Sequence, residues 1–290
     1  MPLPELLPWR GDGRAPDVEI CVGADADALH DGVHVSPLLQ IDRHGAARLS
    51  IERVASYIVR NGREVTIDPR IDPSLPDVRV FLFGTVLGLL CRQRGLLPLR
   101  AACVAIGDKA IALAGAAGRG KSTAAACLAL RGHPLVADSV CVIDPFASVG
   151  PLVLPGVHYA GLWQSAADAL ALPENGRLPN RRGQAKYRYP IGDRDRLPTT
   201  PMPLAAVYVL EWANRARQAA VIDLHGAQRA VMFRRLLLPR RTTGGRESDA
   251  QLFRATAILA NRCRVAHLVQ EYGFSAARAT STLLESLASA

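Results

Sequence analysis

Aromatic side chains are scarce in this chain, at 5% of residues, and no basic stripe interleaved with them is visible. That weighs against a base-stacking platform for a nucleic-acid strand. No stretch reaches the roughly 18 uninterrupted apolar residues that a spanning helix needs. The start, Met1–Asp12, is proline-rich with an acidic Glu5 and lacks the basic-then-apolar order of a secretory signal. The expectation is a soluble, cytoplasmic protein with no membrane partner. The six cysteines are Cys21, Cys91, Cys103, Cys127, Cys141 and Cys263; none form a CxxC pair and most sit inside apolar runs. They read as small buried hydrophobes kept reduced, rather than as a thiolate metal site or a disulfide framework.

What is present supports a packed core. Hydrophobic residues make up 49% of the 290 positions and charged residues 21%, enough for one large domain or two unequal ones. Net charge is +9, carried mostly by arginine, with the densest pairs at Arg181–Arg182, Arg234–Arg235 and Arg240–Arg241. Such pairs read first as solvated surface. A basic surface can attract nucleic acid, but charge is the only feature that suggests it, so nucleic acid is an unlikely partner; the sequence leaves open whether the chain forms a homo-oligomer.

The first third reads as β-rich. Short apolar runs at Val18–Val22, Leu38–Ile41, Ala47–Ile51, Ser56–Val59 and Val65–Ile67 alternate with Gly, Asp and Asn turn signals. They predict a small antiparallel sheet or a series of hairpins. Val80–Arg94 predicts a largely buried helix. Residues 1–95 therefore form a β-rich amino-terminal region ending in a helix, and residues 96–290 a second domain. There, Leu99–Ile106 and Lys109–Ala114 are strands joined by a two-residue turn at Gly107–Asp108. Lys121–Arg131 is an alanine-rich helix closed by Gly132. Pro134–Asp138 and Val140–Ile143 are strands again. Pro151–Pro203 reads as mostly irregular, with a helix near Leu162–Leu170 and a short strand at Lys186–Tyr189. Leu204–Trp212, Ala220–Leu224 and Val265–Val269 read as strands. Ala227–Leu238, Asp249–Asn261 and Ser275–Ser289 read as helices.

The chemistry concentrates between the second strand and the alanine-rich helix. Gly115, Ala116, Ala117, Gly118, Arg119, Gly120, Lys121, Ser122 and Thr123 fit the pattern G-x-x-x-x-G-K-[ST], with an apolar strand before it and a helix after it. Glycines let backbone N–H groups converge on phosphate oxygens. The following helix aims its positive end at the same anion. Lys121 supplies a point charge, and the Ser122 hydroxyl is a ligand for Mg²⁺. Asp138 ends the next apolar run, where an acid can bind the same ion directly or through water. These residues predict a nucleoside triphosphate, read as ATP, bound with Mg²⁺ through Ser122 and Asp138.

The stretch Leu99–Asp138, above all Gly115–Thr123 followed by Leu130-Arg-Gly-His-Pro-Leu-Val-Ala-Asp138, resembles the catalytic domain of HPr kinase/phosphorylase. It resembles more closely the looser family of HPr-kinase-related serine kinases, which includes kinases of lasso-peptide precursors. Phe81–Leu97, Leu162–Trp163 and Lys186-Tyr187-Arg188 sit where those relatives have similar patterns. The resemblance implies an α/β P-loop kinase core shared with phosphoenolpyruvate carboxykinase. It implies an ATP-dependent phosphotransferase acting on a serine hydroxyl of a peptide or protein acceptor. Two positions depart from the family. Where it has a His in the strand before the loop, this chain has Arg100. Where it has a second acid serving as general base, this chain has Ser139. The implied catalytic set is therefore Lys121 and Asp138, with Arg100 and Ser139 at the two altered positions. A carboxylate acceptor, needing no base and clamped by Arg100, and a nucleotide-binding pseudokinase stay open as alternatives. Lys186, Arg188 and the pair Arg240–Arg241 are weaker candidates for phosphate or substrate contact.

Overall fold

A computed structural model describes residues 3–6, 15–24, 29, 31–192, 197–213, 219–239 and 245–289. The fold is mixed α/β with several sheets, and the chain divides into two compact units. The first comprises Met1–Pro98 and Leu238–Arg254; the second comprises Leu99–Leu237 and Ala255–Ala290. Pro239 and the run Thr242-Thr-Gly-Gly245 mark a break in the sequence, but nothing in it says that 238–254 returns to the first unit.

The first unit holds a six-stranded sheet. Its strands are β1 (Glu19–Val22), β2 (Val33–Ser36), β3 (Leu39–Ile41), β4 (Ala47–Ile51), β5 (Ala55–Arg60) and β6 (Glu64–Pro69), in the order β1-β6-β5-β4-β3-β2. From β2 to β6 each strand pairs antiparallel with the next. The expectation of an all-antiparallel sheet fails at β1, which pairs parallel with β6 from Glu19↔Glu64 to Val22↔Ile67. β1 is joined to its partner through the whole meander rather than through a turn, so no local signal sets its direction.

A helix then crosses this sheet, as α1 (Pro76–Phe81), a wider π-type stretch Leu82–Val86, and α2 (Leu87–Gln93). It begins one turn before the sequence predicts, because Pro76 at the first turn starts a helix rather than breaking one. Val78, Leu82, Val86, Leu89 and Leu90 are buried against Leu49, Tyr57, Val59 and Ile67. The Tyr57 hydroxyl donates to the Val78 carbonyl at 2.8 Å, and Gln93 ties the far end to the sheet through Gly62 N–H and the Gly45 and Val59 carbonyls.

β7 (Leu97–Leu99) carries the chain into the second unit. There follow β8 (Ala101–Ile106), β9 (Lys109–Ala114), α3 (Lys121–Leu130), β10 (Leu135–Ala137), β11 (Cys141–Asp144) and β12 (Leu152–Leu154). The region 151–203, expected to be mostly irregular, contains more structure than its Pro and Gly content suggests. β13 (Tyr159–Trp163), α4 (Gln164–Ala169), β14 (Leu178–Pro179) and β15 (Lys186–Pro190) follow one another, and the three strands pair in the order β13-β15-β14. Leu162 and Trp163, expected in a helix, end β13 instead, with Trp163 paired to Lys186. The unit continues with β16 (Met202–Trp212), β17 (Ala220–Asp223) and α5 (Ala227–Leu236). α6 (Gly245–Arg262) leads back into it, and β18 (Arg264–Gln270) and α7 (Phe274–Ser289) complete it.

The main sheet runs β10-β8-β9-β16, with β16 parallel to both β9 and β18. β8 and β9 form the expected hairpin, closed by Gly107 at φ +62° in a two-residue turn. α3 is buried along Ala124–Ala129, where small side chains let it lie close to the sheet. Its end is a glycine cap. Gly132 adopts φ +96°, its N–H reaches the Ala129 carbonyl, and His133 N–H reaches the Leu128 carbonyl. The Arg131 guanidinium and the His133 ring then hold Glu285 on α7. Among the described residues no helix is long and apolar enough to cross a membrane, and all six cysteines are free.

The pin between sheet and helix in the first unit is measurable. Tyr57→Phe removes one buried hydroxyl and leaves the ring's packing in place. It should cost about 1 kcal/mol, read as a lower urea midpoint with an unchanged slope.

Candidate functional site

The site grows from the end of β9. This strand lies between antiparallel β8 and parallel β16, so its last residue, Ala114, pairs with Val209. The backbone of β16 then runs beside Gly115: a Cβ built there would lie 2.8 Å from the Leu210 carbonyl oxygen. Gly115 adopts φ +126°, Gly118 +80° and Gly120 +81°, conformations that L side chains rarely take. Ala116 and Ala117 are exposed, and Arg119 N–H turns back to the Ala116 carbonyl. Gly120 is the left-handed cap of α3, and Ala124 N–H closes the first helical bond to it at 2.8 Å. The N–H groups of Lys121, Ser122 and Thr123 belong to the first turn, where a helix supplies no internal acceptors. The glycine loop therefore leads into a helix start whose first N–H groups lack intrahelical acceptors.

Three side chains add charge. Lys121 is half-buried, and its ammonium donates to the Ala116 carbonyl at 2.8 Å. Burial lowers its pKa to about 8; Arg100 and Lys186 push it the same way, and Asp138 opposes them. The sequence-nominated Arg100 and Lys186 are thus close enough to Lys121 to influence its charge. Arg100 is exposed at the bend between β7 and β8, its N–H bonded to the Leu236 carbonyl. Lys186 sits on β15; a Cβ on Gly161 would be 3.9 Å from its Nζ.

Asp138 follows β10 directly and is buried. Its Oδ1 accepts the Ser122 hydroxyl at 2.9 Å and its Oδ2 accepts Gly161 N–H at 2.7 Å. Burial pushes its carboxyl pKa up, against the hydrogen bonds from Gly161, Ser122 and the Ser139 backbone and the charge of Lys186. Ser139 is exposed, with φ +71°. That left-handed backbone is tolerated by Gly, Asn and Asp better than by most residues, so an Asp could replace Ser139 with little backbone strain. Arg188 stands opposite Gly161 in the β13–β15 register. Arg240 and Arg241 lie outside the described residues.

Two residues at this site carried no signal in the sequence. Gly161 holds Asp138 by its N–H, and a Cβ there would press to 3.4 Å from Asp138 Oδ2. Gln270, 4% exposed, donates to the Arg119 carbonyl at 3.4 Å and accepts the Thr280 hydroxyl. It braces the loop from the end of β18. Neither belongs to a motif, and both reach the loop only through tertiary pairing.

Neither protein-family models nor curated proteins give a match to this sequence. Among solved structures, the HPr(Ser) kinase/phosphatase from Coxiella burnetii is similar to 66% of this chain and 88% of its own, at 12% identity and a TM-score of 0.34.

The geometry at Gly115 separates two glycines that the motif treats alike. Gly115→Ala meets both an adverse φ and the Leu210 carbonyl, whereas a Cβ on Gly118 meets nothing within 4 Å. Gly115→Ala should cost about 2–3 kcal/mol and Gly118→Ala about 1 kcal/mol. Parallel urea melts check the ranking; an equal loss would contradict it.

Proposed function

We propose that the second unit is an ATP-dependent phosphotransferase with an α/β P-loop kinase core. On this reading it transfers a γ-phosphoryl group to a serine hydroxyl on a peptide or protein. The observation that carries the reading is the hydrogen bond from Ser122 to Asp138 at the mouth of the glycine loop. It puts a hydroxyl and a carboxylate side by side at the start of the helix whose N–H groups face the loop. One hydroxyl and one carboxylate suit Mg²⁺, which takes few protein ligands and shares the rest with water and phosphate. Among the described residues no cluster of three or more His, Cys, Asp or Glu offers a fuller cage. Ser122 and Asp138 would hold the ion, which when bound neutralises charge on the phosphate oxygens.

The chain's own groups do the rest. Backbone N–H groups of the loop hold the phosphates, and Lys121 leaves the Ala116 carbonyl to pair with them. The bond from the γ-phosphorus to the bridging oxygen breaks as a bond to the acceptor oxygen forms. The acceptor proton passes to the Asp138 carboxylate, the acid hydrogen-bonded to Ser122 beside the loop. Phosphoryl transfer depends chiefly on positioning and charge, so the missing second acid slows the reaction without forbidding it.

A second reading is favoured by one observation. Beyond the effect of burial, Arg100 and Lys186 both lower the pKa of Lys121, while Asp138 raises it, so two further cationic side chains lie within electrostatic reach of Lys121. That suits an acceptor that is already anionic, a carboxylate, which needs no base. Incubation with γ-labelled ATP and candidate acceptors separates the two. An acid-stable, base-labile label is expected for serine transfer; a hydroxylamine-labile label would give an acyl phosphate. Lys121→Ala should abolish transfer and Ser139→Asp should raise it by about tenfold or more. Binding without any transfer would leave a nucleotide-binding regulator.

The lowered pKa of Lys121 gives an independent check. Folded, the group titrates near 8, against 10.5 for an unperturbed lysine. Its charged form therefore costs stability below pH 8, and that cost is relieved as pH rises toward 10.5. A polyphosphate favours the charged ammonium, so nucleotide binding at pH 8–9 should take up protons. Calorimetry in buffers of different ionisation enthalpy should show this uptake, fading below about pH 7 and absent in Lys121→Arg.

A further inference from the structure

Few aromatics exist in this chain, and two of them stand beside the glycine loop. Trp212 is the last residue of β16 and pairs in register with Gln270, the last residue of β18. Tyr272 follows two residues later. Its ring centroid lies 4.4 Å from that of Trp212, edge-on at 78°. The loop itself reaches this pair: the Arg119 guanidinium lies 4.9 Å from the Trp212 ring centroid. Gln270, bonded to the Arg119 carbonyl and accepting Ala213 N–H, fixes the same three segments together. β9, β16 and β18 are parallel, so Ala114, Trp212 and Gln270 all end on one side of the sheet. That carboxyl side is where open α/β sheets bind ligands.

Tyr272 is nonetheless 72% exposed. A large aromatic beside Trp212, yet mostly open to water, offers an apolar ring surface for stacking. Trp212 is half-buried, and its cation contact with Arg119 and edge contact with Tyr272 account for its own position. Neither contact covers the outer face of Tyr272.

We propose that Tyr272, backed by Trp212 and Arg119, is the platform on which the nucleobase of the bound triphosphate stacks. The proposal rests on the reading of Gly115–Thr123 as a phosphate loop and adds the subsite for the other end of the nucleotide. Stacking reads the face of a base and is tolerant of its edges. The platform therefore serves adenine and guanine alike, and it contributes nothing to a bare polyphosphate.

Binding of MgATP, MgGTP and Mg-tripolyphosphate to the full chain, measured by calorimetry, tests this. The wild-type protein should bind both nucleotides more tightly than tripolyphosphate. Tyr272→Ala, at an exposed position, should weaken both nucleotides roughly tenfold and leave tripolyphosphate unchanged. Tyr272→Phe should restore nucleotide affinity, because the ring and not the hydroxyl is the contact. Equal affinity of wild type for nucleotide and tripolyphosphate, or an equal effect of Tyr272→Ala on all three, overturns the platform while leaving the loop. Failure of the wild type to bind any of the three overturns the loop and the platform together.

Discussion

The close passage of β16 beside Gly115 is the constraint on which the second unit turns. With 2.8 Å between a Cβ at that position and the Leu210 carbonyl, only glycine lets the two strands stay in parallel register up to the turn. That register decides what stands beside the loop. One strand further over, β18 brings Gln270 beneath Arg119, and the end of β16 brings Trp212 beside it. A single backbone contact thus fixes the root of the loop and the neighbours of its crown.

The electrostatics follow from burying Lys121 and Asp138 near one another and near Lys186. Asp138 is buried and its carboxyl is driven up by desolvation, yet both its oxygens accept hydrogen bonds. Lys121 is driven down by burial and by Arg100 and Lys186. Each shift marks a group whose charged form is uncomfortable in the free protein. Folds keep such groups at sites that a ligand completes, and elsewhere replace them with apolar packing. On the proposed reading, a polyanion would relieve the lysine and, through the ion it carries, the acid. The pairing is therefore more economical as half of a binding site than as a stability device.

Much of this was readable in the residues themselves. Glycines at 115, 118 and 120, with Lys121 and Ser122 behind them, announce their backbone directly, because φ beyond +60° is a local demand. The Gly107–Asp108 turn and the Gly132 cap are local in the same sense. Asp138 was legible because it sits directly at the end of an apolar run. What escaped was decided at long range. β1 takes a partner five strands along, 238–254 groups with the first unit, and 151–203 hides a three-stranded sheet among prolines and glycines. Gly161, Gln270 and Trp212 reach the loop and its acid only because strand pairing delivers them, and Tyr272 follows from the end of β18. A lone glycine, glutamine or tyrosine in sequence announces no such destination.

The position after Asp138 bears on which acceptor the proposed chemistry favours. Ser139 holds the left-handed backbone that suits an acid, but its hydroxyl cannot take a proton at neutral pH as a carboxylate can. The burden falls on Asp138, whose oxygens are already committed to Ser122 and Gly161. To accept a proton it must loosen one of them, and the Gly161 bond comes from a backbone that strand pairing with β15 holds still. The Ser122 hydroxyl can rotate, so Oδ1 is the oxygen free to serve. Yet Oδ1 and Ser122 are also the pair that would hold the ion. One oxygen asked to hold a metal and to take a proton does the second poorly, since a bound cation lowers its basicity. An acceptor that arrives without a proton escapes this conflict. On the proposed reading, a serine rather than an acid at residue 139 and the cations Arg100 and Lys186 near Lys121 both favour anionic acceptors. A serine acceptor stays workable to the extent that positioning, rather than base strength, sets the rate.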